Sequence, residues 1–156
     1  MLAETAIVIE QERPDSPEAI ALLSARDAEL DSLYPPEACF RIPTEDHVSD
    51  DVIFLMAREN GVAVACGALQ KHSGYAELKS IFVIPEARGR RLARRIVAAL
   101  EALARGLGFS DVRLETGVRS PAAARTYEQS GYVRCDRFGN YPDAPLSVFM
   151  AKRLTP

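Results

Sequence analysis

The sequence is poor in several things, and each shortage removes a class of function. Its 156 residues hold three cysteines, Cys39, Cys66 and Cys135. That odd number, without metal-ligand spacing, suits a reducing compartment better than a disulfide scaffold, and Cys66 and Cys135 read as small core residues. The two histidines, His47 and His72, stand alone in turn-like segments with no H-E-x-x-H or similar spacing, so they read as surface residues and no metal is expected. The longest apolar stretch, Gly61 to Leu69, falls far short of the ~20 residues that cross a bilayer. Met1 is followed by Leu2-Ala3-Glu4 with no basic lead, so neither a signal peptide nor a membrane partner is expected, and the cytoplasm is the expected location. No G-x-S-x-G elbow, phosphate-loop G-x-x-x-x-G-K-[ST] or dinucleotide G-x-G-x-x-G is present. There is no basic excess either: the net charge is −3. No aromatics interleave with the arginines, which argues against a nucleic-acid partner.

What is there is a globular composition, 47% hydrophobic and 26% charged, on a chain long enough for one domain with a core and too short for two. The charge is divided. Residues 1–60 hold four basic and 14 acidic groups, and residues 61–156 hold 15 basic and eight acidic ones. Such a split suits an anionic ligand on one side and a cationic one on the other.

Along the chain, Ala6 to Ile9 predicts a strand. Ser16-Pro17 opens a helix with Ile20, Leu23, Leu30 and Leu33 at near-helical spacing, stopped by Pro35-Pro36. Residues 43–51 predict a short helix and loop. Two apolar runs, Val52 to Ala57 and Val62 to Leu69, flank Asn60-Gly61, a strong hairpin signal. Tyr75 to Ile84 predicts a strand that alternates Leu78, Ser80 and Phe82 against Glu77, Lys79 and Ile81. A long helix follows over about Gly89 to Leu107, with Ile96, Val97, Leu100, Leu103, Ala104 and Leu107 on one face. Then come a strand at Asp111 to Glu115, a helix N-capped by Ser120 and ended by Gly131, and strands at Tyr132 to Cys135 and Leu146 to Ala151. The order predicts an α/β fold: a mixed, predominantly antiparallel sheet of six to seven strands flanked by about four helices.

The most informative stretch is Ile81 to Arg95. A strand reaches Pro85, passes an Arg- and Gly-rich turn, and enters the long helix, whose first amides and dipole favour a phosphate. Five arginines lie between Arg88 and Arg95. The run from Ile81 to Ala93, followed downstream by Ala123-Ala124-Arg125-Thr126-Tyr127-Glu128-Gln129-Ser130-Gly131-Tyr132, resembles the GNAT superfamily of acetyl-CoA-dependent N-acetyltransferases. Arg88 and Ala93 match the ends of that family's [Q/R]-x-x-G-x-[G/A] motif, and Arg91 stands where its central Gly is usual. Ala123 through Gly131-Tyr132 match A-x-x-x-Y-x-x-x-G-[FY].

The resemblance implies one N-acetyltransferase domain over residues 1–156. Its cofactor-binding core would span about 75–132, with acceptor-side elements at about 14–51 and 136–146. It implies that acetyl-CoA is the co-substrate and that a primary amine, on a small molecule or a protein, attacks it directly in a ternary complex. Backbone groups of Ile81, Phe82 and Val83, on a strand that splays from its neighbour at a β-bulge, would bind pantetheine and the acetyl carbonyl. Amides of Arg88, Gly89, Arg90, Arg91, Leu92 and Ala93 would hold the diphosphate. Ser120 replaces the Asn usual before the second motif's helix and keeps a hydroxyl for the cofactor. Tyr127 stands at the general acid's position and Glu77 where some members carry a base, its alternative being a solvent-facing or Lys79- or Arg113-paired residue. Phe138 to Leu146 would line the acceptor pocket beside Tyr34 and Glu37. A homodimer is a form the family often takes. The alternative on the same fold is a non-catalytic acyl-CoA-binding sensor or interaction module.

Overall fold

The sheet is built outward from the hairpin that Asn60-Gly61 closes. Both residues have positive φ, 51° and 84°, as a type I′ turn demands. They join β2 (Val52–Glu59) to β3 (Val62–Lys71). The computed structural model describes residues 6–155, so the expected absence of a leader, which concerns Met1 to Glu4, lies outside the described residues. β1 (Ile7–Gln11) flanks β2, and β4 (Ala76–Val83) flanks β3. β5 (Asp111–Gly117), β6 (Val133–Arg134) and β7 (Ser147–Arg153) complete seven strands in the order β1-β2-β3-β4-β5-β7-β6. The single parallel pair is β4–β5, and its crossover is the long helix.

The first helix, α1 (Pro17–Leu33), starts where the Ser16 hydroxyl accepts from the Ala19 amide at 3.1 Å. It lies on one face of the sheet over Phe54, Met56, Cys66, Ala68 and Phe82. The stripe it buries is Ala19, Leu22, Leu23 and Arg26, whereas Ile20 and Leu33 are 43% and 36% exposed. The expected face is therefore corrected. The true i, i+3, i+4, i+7 stripe contains an arginine, which a search for apolar spacing passes over.

The second helix, α2 (Leu92–Gly106), covers the opposite face with Leu92, Ile96, Val97, Leu100 and Ala104. A large aliphatic side chain such as Ile96 or Leu100 contributes about 2 kcal/mol when fully buried. Gly67 lets this helix come close: a Cβ there would stand 2.5 Å from Ile96 Cγ2. The third, α3 (Pro121–Gln129), follows β5. Its first turn lacks the expected serine cap. The Ser120 hydroxyl points instead to the Tyr34 hydroxyl, 2.8 Å away.

β4 departs most from its expected alternation. Ala68 pairs with Lys79 and Cys66 with Phe82, so Gly67 faces two residues, Ser80 and Ile81. Ser80 has φ 58°, a left-handed conformation that costs a side-chain-bearing residue roughly 1–2 kcal/mol. This bulge reverses the parity of the strand. Leu78 packs on the α2 face, Phe82 on the α1 face, and Ile81 and Val83 move over to the α2 face.

Candidate active site

At the start of α2 the chain forms a cradle of unpaired amides. Gly89 has φ 84° and Arg91 φ 61°, so Arg91 holds a left-handed backbone of the kind glycine favours. The Arg88 amide donates to Pro85 O, and the next amide with an acceptor is that of Arg95, on Arg91 O. Among the described residues, the amides of Gly89 to Arg94 have no protein acceptor. Such a concavity, at the positive end of a helix, suits a diphosphate. The side chains of Arg91, Arg94 and Arg95 also lack a protein partner among the described residues, and they edge a cavity of about 360 Å³ that reaches Ser130 and Lys152. Arg88 and Arg90 are tied to their surroundings: Arg88 donates to Val83 O and Glu29, and Arg90 pairs with Glu59.

Beside this cradle the sheet opens. β4 and β5 pair over only three positions, Ala76–Val112 to Leu78–Leu114. Past Leu78, residues Lys79 to Val83 of β4 have no strand partner on the β5 side, which leaves backbone groups of Ile81 and Val83 facing a gap, while those of Phe82, like the Ile84 amide on Val64 O, turn to β3. An extended, amide-bearing ligand matches such an edge. The acyl-CoA molecule that the motifs imply fits these residues: bare amides for its diphosphate, a strand edge for its pantetheine, and nearby unpaired cations.

Two ionisable side chains stand at this opening. Glu115 is the first β5 residue past the parallel ladder. One of its oxygens accepts from Ser147 Oγ at 2.7 Å. Burial, only partly offset by Ser147 and by Lys79, raises its carboxyl above the ordinary carboxylate range. The Tyr127 hydroxyl has no protein partner among the described residues. Burial first, and then the nearby Glu115 charge, push it up to about 12. The sequence reading did not single out Glu115. The available signal was its place in Val112-Arg113-Leu114-Glu115, where alternation sets it opposite the buried Val112 and Leu114.

Glu77 is buried, with 2% exposure, and both oxygens are engaged. One meets His72 Nε2 at 2.9 Å and the other accepts from the Tyr141 hydroxyl. Lys79 Nζ lies 3.5 Å away and donates to Tyr141 Oη and Phe40 O. Arg113 pairs with Asp111 instead. Of the two histidines expected at the surface, His47 is the clear exception. His72 is half-buried and stacked on Tyr75, and His47 is 1% exposed. Cys135, expected in the core, is exposed, because β6 is a two-residue edge strand.

Glu77, Lys79, His72 and Tyr141 line a cavity of about 670 Å³ that also takes in residues 40–43 and 139–142. Of the loop around Phe138 to Leu146, residues 139–142 line this cavity, whereas Tyr34 and Glu37 do not. Tyr34 is buried against Gly117, where a Cβ would stand 2.1 Å from its hydroxyl, and it accepts from the Arg119 amide at 2.9 Å. Ser120 is therefore occupied by Tyr34. Both charge signs line the cavity. Asp46 and Asp51 at its rim have no side-chain partner among the described residues, and no group of metal-ligating side chains occurs among those residues.

Comparison with known proteins places this geometry. The sequence profile described as "Acetyltransferase (GNAT) family" matches residues 18–132. The IAA acetyltransferase of Azospirillum brasilense is 36% identical over 150 residues, covering 95% of this chain and 98% of its own. A crystal structure from Klebsiella pneumoniae, of a protein assigned to the acyl-CoA N-acyltransferases, is 36% identical with a TM-score of 0.81, over 96% of this chain and 98% of that one. The PaiA N-acetyltransferase of Thermoplasma acidophilum, solved in complex with coenzyme A, shares the fold at 15% identity and a TM-score of 0.73, over 96% of this chain and 99% of that one. The profile covers well over half of the sequence, and the Azospirillum relative is matched along nearly its whole length: the chain belongs to the GNAT family of acetyltransferases.

Proposed function

We propose that the protein transfers the acetyl group of acetyl-CoA to a primary amine, on a small molecule or a protein, by direct attack with both substrates bound. The observation that carries this reading is one juxtaposition: bare amides at the start of α2, next to a strand gap edged by Glu115 and Tyr127. The relatives' names, and the coenzyme A held by the Thermoplasma protein, support acetyl-CoA as donor. Bound acetyl-CoA supplies an acetyl thioester activated toward nitrogen nucleophiles.

The amides of Gly89 to Ala93 hold the diphosphate, with Arg91 adding charge. Backbone groups of Ile81 and Val83, on either side of Phe82, orient the pantetheine, and a gap-side N–H meets the negative charge that develops on the acetyl oxygen. Glu115 is the base. Its raised carboxyl and uncommitted oxygen suit it to take a proton from the acceptor ammonium, directly or through water. Once it has done so its charge is gone, and with it part of what holds Tyr127 up. Tyr127 then donates more readily to the departing thiolate, so base and acid act in sequence. Glu77, with both oxygens engaged, orients His72 and Tyr141 in the cavity wall. Asp46 and Asp51 at the rim favour a cationic acceptor.

Thiol release from acetyl-CoA with a panel of amines tests the reading. Saturable release with at least one amine is the expected result. Acetyl-CoA binding without release for any amine supports a sensor on the same fold, and a preference for ATP or NAD over coenzyme A removes the proposal.

A further inference from the structure

The bulge in β4 is held by side chains as well as by backbone. The Ser80 hydroxyl accepts from Arg26 Nη1 at 2.6 Å and lies 2.8 Å from His47 Nε2. The direction of that second bond is fixed by the far side of the ring. His47 Nδ1 lies 3.0 and 3.1 Å from the carbonyl oxygens of Pro43 and Thr44, which only accept, so Nδ1 carries the hydrogen and Nε2 is the lone pair. Ser80 therefore donates to His47 while accepting from Arg26. Both partners are almost fully buried, at 1% and 4% exposure. Arg26 is held in turn by Asp27 Oδ1 and Ile42 O. From α1, Arg26 and Asp27 are the charged groups near the imidazole, while β2 offers it the edge of Phe54. Burial, reinforced by Arg26, keeps its pKa below the ordinary histidine value and so keeps the ring neutral.

We infer that Ser80, His47 and Arg26 form a positioning device that fixes the β4 bulge, and through it the direction of the backbone at Ile81 and Val83 toward the strand gap. This rests on the acetyl-transfer reading above. Two hydrogen bonds to buried side chains compensate the left-handed conformation of Ser80, so the bulge does not relax into a regular ladder that would turn Phe82 to the other face. The device is also shared with the acceptor side. His47 ends the short 3-10 turn Thr44–His47, and Pro43 and Asp46 of the same segment line the larger cavity. Order in that segment is thereby linked to the placement of the acetyl carbonyl.

The test measures kcat, KM for acetyl-CoA and the separate acetyl-CoA Kd in Ser80→Ala, His47→Leu and His47→Gln. A displacement of the reacting carbonyl lowers kcat without a matching change in binding, because the diphosphate cradle is untouched. Ser80→Ala and His47→Leu are each expected to lose roughly tenfold in kcat, with KM and Kd moving less than about threefold. His47→Gln, whose amide oxygen can still accept from Ser80, recovers most of the loss. Undiminished kcat in Ser80→Ala, equal losses in His47→Leu and His47→Gln, or a loss confined to Kd overturns the inference. If His47→Leu does not fold, Ser80→Ala and His47→Gln still decide it. Turnover by the unaltered protein keeps the two readings apart: its absence with every amine takes down the acetyl-transfer reading and this one together, whereas full turnover retained in Ser80→Ala takes down this one alone.

Discussion

Three side chains near the opening, Glu115, Glu77 and Tyr127, can be tested one residue at a time. Glu115→Gln is expected to lower kcat by about 10²-fold or more and to remove the acid limb of the pH–rate profile. Glu77→Gln should leave that limb in place, and a lost limb in Glu77→Gln would exchange their roles. The raised carboxyl of Glu115 also has a stability signature. Its protonated form is favoured in the fold, so its contribution is complete below the unfolded carboxylate value and is lost as pH rises through the folded one. Glu115→Gln should therefore raise Tm at neutral pH while it slows the reaction, a trade that thermal melts at two pH values would reveal. Tyr127→Phe is expected to slow thiol release by about 10²-fold while acetyl-CoA affinity changes less than about twofold; unchanged release would exclude the hydroxyl. Tyr127 was legible because a helix motif marks it. Glu115 was not, because a single carboxylate in a strand looks like any solvent-facing residue until the neighbouring strand is seen to leave.

At the scale of elements, strand and helix existence followed from periodicity and punctuation: Asn60-Gly61, Pro17, Pro121 and Gly131 each sit where their backbone requirements put them. Faces were harder to read. α1 buries Arg26 beside Leu22 and Leu23, and the bulge at Ser80 swaps the sides of β4. Both are tertiary features, made by partners distant in sequence. Gly67 shows what such packing demands. Gly67→Ala would press a methyl against the buried, branched Ile96, at a cost of about 1–3 kcal/mol. Equilibrium denaturation should show it as a lower midpoint; an unchanged midpoint would mean that α2 can shift without penalty. Arg91 makes a different case. Arg91→Gly relieves the left-handed strain but gives the unfolded chain more freedom, two effects of about 1 kcal/mol that oppose each other. Stability should scarcely move, while acetyl-CoA affinity weakens several-fold at low salt and the difference fades at high salt as charge is screened.

Across the whole molecule the divided charge did not map simply onto two faces. The acidic first third supplies Asp46 and Asp51 to the rim of the larger cavity, but Lys79 and His72 stand in its wall, so only part of the pattern concerns a ligand. The cysteines report on the fold as a unit. Cys135 is exposed, Cys39 half-buried, and Cys66 wholly buried with its thiol pushed up to about 12 by burial. A thiol-reactive dye should label Cys135 quickly, Cys39 more slowly, and Cys66 only as fast as the protein unfolds; three equally fast thiols would contradict this packing. The short β4–β5 ladder has a mechanical meaning as well. With three paired positions against seven between β5 and β7, the sheet is two plates joined by a narrow hinge. A ligand lying in the notch would act as a splint, and the protein should be stiffest while it is at work.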